Sequence, residues 1–153
     1  MGAEAADDVA LLALRPVPFA GEPLRLRTPA EPNALASLRH TVRRWFREVE
    51  ADRQDAYDIL VACGEACANV IQHAYGGGEG HIEVDVAMLD GEVEVVVRDT
   101  GRWRSASPRG GGRGLDLMRG LMDSVDVDTG PEGTVVRMRR RVRREADERA
   151  GAH

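Results

Sequence analysis

Hydrophobic and polar positions along the chain follow two different periods, and these periods divide the sequence into strands and helices. Alternation at every second residue is typical of a half-buried strand, whereas apolar residues at three- and four-residue steps indicate an amphipathic helix. Five segments alternate, and three show helical spacing. The predicted strands are 24–28, 82–88, 93–99, 124–129 and 134–139, and the predicted helices are 31–50, 54–75 and 115–122.

The order of these segments is β α α β β α β β, with the hairpin signal Asp90-Gly91 between the second and third strands and a glycine- and proline-containing turn at residues 130–133. Hairpin-linked strands with helices in blocks are typical of α+β folds. We therefore predict a two-layer α/β sandwich, in which helices cover one face of a mixed, mostly antiparallel sheet.

Composition divides the chain into three parts. Residues 1–22 are rich in Ala, Asp and Pro and show no clear period, so we predict a loose leader. Residues 23–141 carry the periodic pattern and form the predicted domain, and residues 142–153 are predicted to be a charged tail. Residues 100–112 hold Gly, Ser, Pro and Arg, and their length and polarity predict a mobile functional loop.

Charge and composition exclude several classes of function. The chain has 153 residues, the size of one domain, and all 21 basic residues are arginine. Without lysine there is no P-loop nucleotide site, no strand lysine of the protein-kinase type and no Schiff-base chemistry. The net charge of −5 gives no general attraction to nucleic acid. The arginines near the C-terminus predict a solvated extension of the last strand or of a helix or, less often, a docking patch.

Compartment is predicted from what the sequence lacks. No apolar run approaches the roughly 20 residues of a membrane-spanning helix. Asp7 and Asp8 precede the first apolar stretch, whereas a secretory signal has basic residues there. Cys63 and Cys67 lie on one predicted helix, where they suit a reducing compartment and read as small core residues rather than as metal ligands with His73. We expect a cytoplasmic protein that does not bind membranes.

Glu65 and Asn69 are the first candidate site residues. Their four-residue spacing places a carboxylate and an amide side by side on the second predicted helix. They lie opposite its apolar stripe, which contains Ile59, Cys63, Cys67, Val70 and Ala74. This face is either a solvated surface or a site, in which the amide oxygen is a ligand suited to Mg²⁺ and the carboxylate a general base.

Two further motifs suit a nucleotide. Asp99 ends a strand before Thr100-Gly101. The motif is either a simple turn or an acceptor for an exocyclic amine such as that of adenine, with Gly101 allowing a planar ring to approach the backbone. Residues 110–115, four of the first five being glycine, run into a predicted helix. They are either a flexible linker or, as the helix that follows favours, an anion site made by the uncovered N–H groups and the dipole of that helix. Arg109 and Arg113 add positive charge beside it.

Four segments in order resemble the nucleotide-binding boxes of the GHKL ATPase superfamily, which has the Bergerat fold. They are Glu65–Val70, Asp99–Gly101, Gly112–Leu115 and Gly133–Thr134. The sequence is most similar to the anti-sigma-factor serine-protein kinases, over about residues 24–140. The resemblance implies that residues 23–141 form a GHKL ATP-binding kinase domain with ATP and Mg²⁺ as cofactors.

The resemblance also implies a role for each matching residue. Asn69 would hold Mg²⁺, Glu65 would accept the proton of the attacking hydroxyl, and Asp99 would bind the adenine amino group. The residues implied in ATP binding are Asn69, Asp99, Gly101, Gly112, Gly114, Leu115 and Thr134. Arg109 lies one position from the place of the catalytic arginine of the family, which Gly110 takes here, so Arg113 is a second candidate. Trp103 replaces a glycine that often follows Gly101 in the wider family.

By this resemblance, the chain is expected to be an ATP–Mg²⁺-dependent protein serine/threonine kinase. It would bind a sigma factor and phosphorylate a serine of a STAS-type anti-anti-sigma factor, as a homodimer with no direct contact to nucleic acid. One alternative is a nucleotide-binding module that sequesters its partner without kinase activity. Weaker alternatives are a nucleic-acid contact through the terminal arginines and a fragment of a two-component histidine kinase.

Overall fold

A computed structural model of the chain describes residues 21–73, 80–99 and 112–145. Within these ranges it contains eight elements in the predicted order. They are β1 (Leu24–Pro29), α1 (Ala34–Glu48), α2 (Arg53–His73), β2 (His81–Leu89), β3 (Glu92–Asp99), α3 (Gly112–Leu121), β4 (Ser124–Gly130) and β5 (Gly133–Arg141). The predicted order of elements is therefore confirmed.

The five strands form one sheet in the order β1-β2-β3-β5-β4, and every neighbouring pair is antiparallel. The α+β class is confirmed, and no parallel pair occurs among the described strands. Because β5 inserts between β3 and β4, the last residue of β3, Asp99, lies directly opposite Thr134 of β5. The sheet order thus joins two residues that are far apart in sequence.

The two faces of the sheet differ in chemistry. Every second residue of the inner strands is buried beneath the helices, among them Val84, Val95 and Met138. The opposite face carries ion pairs, such as Arg98 with Asp85 and Arg139 Nε with Glu94 Oε2 at 2.7 Å. The predicted cover of helices on one face follows from this alternation, since only the apolar face gains from leaving water.

Helix α1 buries the apolar stripe that the sequence predicts, namely Leu38, Val42, Trp45 and Phe46. It begins at Ala34, three residues later than expected. The preceding residues instead form turns, in which Ala34 N–H donates to the Glu31 carbonyl and Leu35 N–H to that of Pro32. The helix ends at Glu48, and Glu50 then adopts a left-handed φ of 54°.

Helix α3 begins at Gly112, whereas the sequence predicted a start at Leu115 and placed Gly112 in a loop. Glycine has a low helix propensity, but burial of Met118 and partial burial of Leu115 stabilise the helix through tertiary packing. The rest of the predicted loop, residues 100–111, lies outside the described residues. So do residues 1–20 of the predicted leader and residues 146–153 of the predicted tail.

Arg140 differs from the expectation of a solvated extension, whereas Arg141 and Arg143 are exposed as that expectation predicts. Arg140 and Arg143 form ion pairs with carboxylates at the start of α2. Val142 between them is 9% exposed, so packed structure continues past the end of β5. None of the helices in the described residues is long and apolar enough to cross a membrane.

Candidate functional site

Glu65, Asn69 and Gly114 are brought together by the contact of α2 with α3. A β-carbon built on Gly114 would lie 3.1 Å from Asn69 Nδ2, 3.4 Å from Asn69 Oδ1 and 3.4 Å from Glu65 Oε2. The polar face of α2 is therefore not a solvated surface here, because the first turn of α3 covers it. Both side chains are half-buried and converge on one point of the α3 backbone. Only glycine allows this approach without displacement.

The first turn of α3 supplies backbone donors at this point. The first N–H groups of a helix have no partner within the helix, and the helix dipole makes this end favourable for anions. Gly112, Arg113 and Gly114 form this turn, which contains no acidic residue. Leu115 follows and packs against the core, which anchors the turn. The arrangement suits a phosphate group held beside Asn69.

Asp99 and Thr134 form a buried polar pair on the central strands. They are cross-strand partners, and their exposed fractions are 4% and 1%. Thr134 Oγ1 is buried and has no hydrogen-bond partner among the described residues. A buried hydroxyl left without a partner costs about 1–3 kcal/mol, so this atom is best explained as one that binds water or a ligand. Both side chains lie on the face of the sheet that the helices cover.

Two predicted site residues, Gly101 and Arg109, lie outside the described residues, as does Trp103. Arg113 is described and lies exposed in the first turn of α3. The structure therefore places one of the two candidate catalytic arginines at the site.

Arg39 of α1 packs on α2 at a position that the local sequence patterns did not reveal. A β-carbon built on Gly64 would lie 3.3 Å from both Nε and Nη2 of Arg39, so the guanidinium lies against the α2 backbone at Gly64. Glycine inside a helix costs about 1 kcal/mol relative to alanine. Gly64, in the middle of a strongly periodic helix, was the signal for a close approach of this kind.

The two cysteines are core residues. Cys63 and Cys67 are fully buried. The pKa of the Cys67 thiol is raised well above its usual value, first by a hydrogen bond with Cys63 and then by burial. Among the described residues, no group of three or more His, Cys, Asp or Glu side chains is placed to hold a metal ion. The burial of both thiols agrees with the expectation of small core residues.

A cavity of about 580 Å³ lies away from these residues, between α1 and the first half of α2. None of Glu65, Asn69, Asp99 or Thr134 lines it. The segment between β3 and α3 lies outside the described residues. We therefore identify the candidate site by the convergence of its polar groups and not by the volume of a cavity.

These features together define a class of protein, an α+β domain with a candidate nucleotide site between two helices and a central strand. The sequence profile of the family described as "Histidine kinase-like ATPase domain" matches residues 28–140. The chain therefore belongs to the histidine kinase-like ATPase domain family. This confirms the resemblance found in the sequence.

Relatives agree with this assignment. The serine-protein kinase RsbW of Bacillus velezensis is 29% identical over 130 residues, which cover 73% of this chain and 81% of that protein. Its namesake in Bacillus licheniformis is 28% identical over 145 residues, 82% of this chain and 89% of that protein. A crystal structure of the RsbU and RsbW domains of a Mycobacterium tuberculosis protein has 29% identity and a TM-score of 0.67. It covers 80% of this chain, which spans 33% of that solved chain.

Proposed function

We propose that this chain is an ATP-dependent protein serine kinase of the anti-sigma type. It would bind ATP between α2 and the first turn of α3, and transfer the γ-phosphoryl group to a serine of a STAS-fold anti-anti-sigma factor. The observation that carries the proposal is the convergence of Asn69 and Glu65 on the backbone at Gly114. It puts an amide, a carboxylate and helix N–H donors around one point, and these groups can hold a metal ion, accept a proton and bind phosphate.

Asn69 fits Mg²⁺ by the chemistry of its side chain. Mg²⁺ prefers oxygen ligands and is usually held by one or two protein groups together with water and substrate phosphates. The amide oxygen of Asn69 would be the protein ligand, and the ion, when bound, neutralises charge on the phosphates. Asn69 is half-buried against Gly114, so its rotamer is restricted before nucleotide binds.

Glu65 would act on the substrate hydroxyl. Its carboxylate lies one helical turn before Asn69 and reaches the same point of α3. There it would accept the proton of the partner's serine, while the serine oxygen forms its bond to phosphorus and the bond from phosphorus to ADP breaks in line. Arg113, with Arg109 as the other candidate, would stabilise the charge on the transferring group.

Asp99 and Thr134 would hold the adenine. The Asp99 carboxylate would accept a hydrogen bond from the exocyclic amine, and the partnerless hydroxyl of Thr134 would bind the base directly or through water. The burial of Thr134 favours selectivity, because a base that makes no hydrogen bond with this hydroxyl leaves a buried polar group unsatisfied.

A second candidate function is capture of a partner without phosphate transfer, with nucleotide acting as a conformational switch. Trp103 favours it, because a large indole takes the place of a glycine that the wider family often has near the base. Glu65 favours the kinase.

The test is a phosphotransfer assay with the full chain, ATP–Mg²⁺ and STAS-fold proteins of the same organism, read as phosphoserine by mass spectrometry. The proposal predicts transfer by the wild type and loss of transfer with retained ATP binding in Glu65→Gln. Glu48→Gln, an exposed glutamate of α1, is the matched control and keeps activity. Equal transfer by Glu65→Gln and the wild type would refute the assigned base. Nucleotide-dependent capture without phosphoserine would select the second function.

Three further expectations belong to this proposal, namely capture of a sigma factor, a homodimer and a cytoplasmic location. Light scattering coupled to size exclusion measures the oligomeric state. A monomer at the assay concentration would refute the expected homodimer.

A further inference from the structure

The guanidinium of Arg140 joins α2 to the end of α3. Its Nη2 donates to Asp55 Oδ1 at 2.8 Å, and its Nη1 lies 3.0 Å from Asp58 Oδ2. The same Nη1 donates to the carbonyl oxygen of Leu121. Arg140 continues the inward-facing series of β5, and its side chain is only 20% exposed. These contacts are therefore shielded from water and salt more than a surface ion pair is.

The three acceptors are suited to one planar cation. Asp55 and Asp58 are three residues apart on α2 and thus share a face. Leu121 is the last residue of α3, where carbonyl groups lack a helical partner and the helix dipole is negative. A guanidinium can bond to all three because its donors point in fixed, divergent directions, which a lysine ammonium does not offer.

We call the contacts of Arg140 with Asp55, Asp58 and Leu121 the clamp. The clamp and the candidate nucleotide site lie at opposite ends of the same helix pair. The C-terminal end of α3 is held near Asp58, and its first turn contacts Asn69. The two helices therefore run antiparallel. At about 1.5 Å per residue, the clamp is roughly 10 Å along α3 from Gly114.

The contact at Gly114 tolerates little movement of α3 relative to α2. The spacing of 3.1–3.4 Å around a built β-carbon shows that the backbone of α3 rests against the side chains of Asn69 and Glu65. A shift of α3 by a few tenths of an ångström would change how these groups and the helix N–H donors face a phosphate. Errors of about 1 Å in such positioning can cost 100-fold in catalysis.

We propose that Arg140 is a positioning residue for the nucleotide site, which fixes α3 on α2 so that the first turn of α3 sits over Asn69. This inference rests on the proposed function. It adds a residue that lies outside the four sequence boxes and contacts the end of α3 opposite Gly114.

Arg143 provides a matched control within the same cluster. Its Nε lies 3.3 Å from Asp55 Oδ2 and its Nη2 3.1 Å from Asp52 Oδ1, so it shares a carboxylate with Arg140. Neither of these contacts reaches α3. Loss of Arg143 therefore tests the stability contribution of the cluster without releasing the end of α3.

The experiment compares full-length wild type, Arg140→Gln, Arg140→Lys and Arg143→Gln. ATP–Mg²⁺ affinity is measured by calorimetry, and backbone hydrogen exchange is followed in peptides covering residues 53–60 and 112–121. Arg140→Gln is expected to weaken ATP affinity roughly tenfold and to speed exchange in α3. Arg140→Lys should recover part of the lost ATP affinity, since lysine keeps the positive charge but lacks the divergent donors of the guanidinium. Arg143→Gln should keep affinity within about twofold and change exchange only near the start of α2.

The outcomes separate the two claims. If the wild type fails to bind ATP–Mg²⁺, the proposed function is wrong. If the wild type binds but Arg140→Gln binds equally well, or if Arg143→Gln loses as much affinity, the positioning role is overturned. Should Arg140→Gln fail to fold, Asp58→Asn removes one contact of the clamp and decides the question. Unchanged affinity and unchanged α3 exchange in that variant would also overturn the inference.

Discussion

Gly114 of α3 lies so close to Asn69 of α2 that a β-carbon at position 114 would come within 3.1 Å of the amide nitrogen. This contact explains the glycine at position 114, which helix propensity disfavours. It also covers part of the polar face of α2, where we propose that phosphate binds.

Alanine at position 114 should damage the site rather than the fold. The added methyl group has to displace Asn69 or Glu65, so Gly114→Ala is expected to weaken ATP affinity at least tenfold, about 1.4 kcal/mol. Calorimetric titration with ATP–Mg²⁺ measures this effect.

Gly120 is the matched control, because it lies in the same helix and a β-carbon there meets nothing within 4 Å. Gly120→Ala should leave affinity unchanged and raise the free energy of unfolding by about 0.5–1 kcal/mol. Normal ATP binding by Gly114→Ala would show that the close contact has no role in the site.

Replacing Thr134 by valine should separate stability from binding. The hydroxyl is buried and has no partner among the described residues, so Thr134→Val is expected to leave the free energy of unfolding unchanged or raise it by about 1 kcal/mol. ATP affinity should fall, because the base loses a polar contact. Urea unfolding and calorimetry on the same samples measure both quantities.

Thr129→Val, at an exposed position of β4, serves as the control for the valine substitution. If Thr134→Val lost stability but kept full ATP affinity, the hydroxyl would belong to the fold and not to the site.

The ion pairs of Asp55 with Arg140 and Arg143 predict how the free energy of unfolding depends on pH. Burial alone would raise the pKa of Asp55, but hydrogen bonds from the Arg143 backbone N–H and from the Arg140 and Arg143 side chains outweigh it and lower the pKa. A carboxyl whose folded pKa is depressed stabilises the fold above its unfolded pKa, about 3.9. This stability is lost as the pH falls through the lower, folded pKa.

Asp55→Asn tests this dependence. At pH 7 it should lower the free energy of unfolding by about 3 kcal/mol, because it leaves a buried cation with fewer partners. The difference between the variant and the wild type should shrink below pH 4. Urea titrations at pH 7, 5 and 3 measure it, and a difference that stays constant over this range would contradict the assignment.

The two cysteines should be inert in the folded protein. Cys67 is fully buried and its pKa is raised by Cys63 and by burial, so little reactive thiolate forms at pH 8. A thiol-specific reagent should modify both cysteines only when urea unfolds the chain. Rapid modification of the folded protein at pH 8 would contradict this packing of α2.

Local periodicity was enough to predict most of the fold. Burial produces both the apolar stripe on α1, with Val42, Trp45 and Phe46, and the alternation along β2 and β3. The structure buries the apolar residues of these patterns. The start of α3 was predicted wrongly, because the local preference of glycine opposes a helix that tertiary contacts stabilise.

The long-range contacts that position α2 could not be read from local patterns. Arg140 and Asp55 are 85 residues apart, and the position of Arg39 over Gly64 depends on how α1 packs on α2. Signals for both were present. Arg140 occupies an inward-facing position of β5 after Thr134, Val136 and Met138, where a charge requires buried partners.

The most direct test of the account is the dependence of ATP binding on Mg²⁺ and on Asn69, measured by calorimetric titration with and without the metal. The control is Asn33→Ala, since Asn33 makes no side-chain capping bond at the start of α1. We predict that the wild type and Asn33→Ala bind ATP in the presence of Mg²⁺ and lose most of this affinity without it, and that Asn69→Ala shows no metal-dependent binding. Binding that is independent of Mg²⁺, or equal in Asn69→Ala and the wild type, would contradict a nucleotide site between α2 and α3.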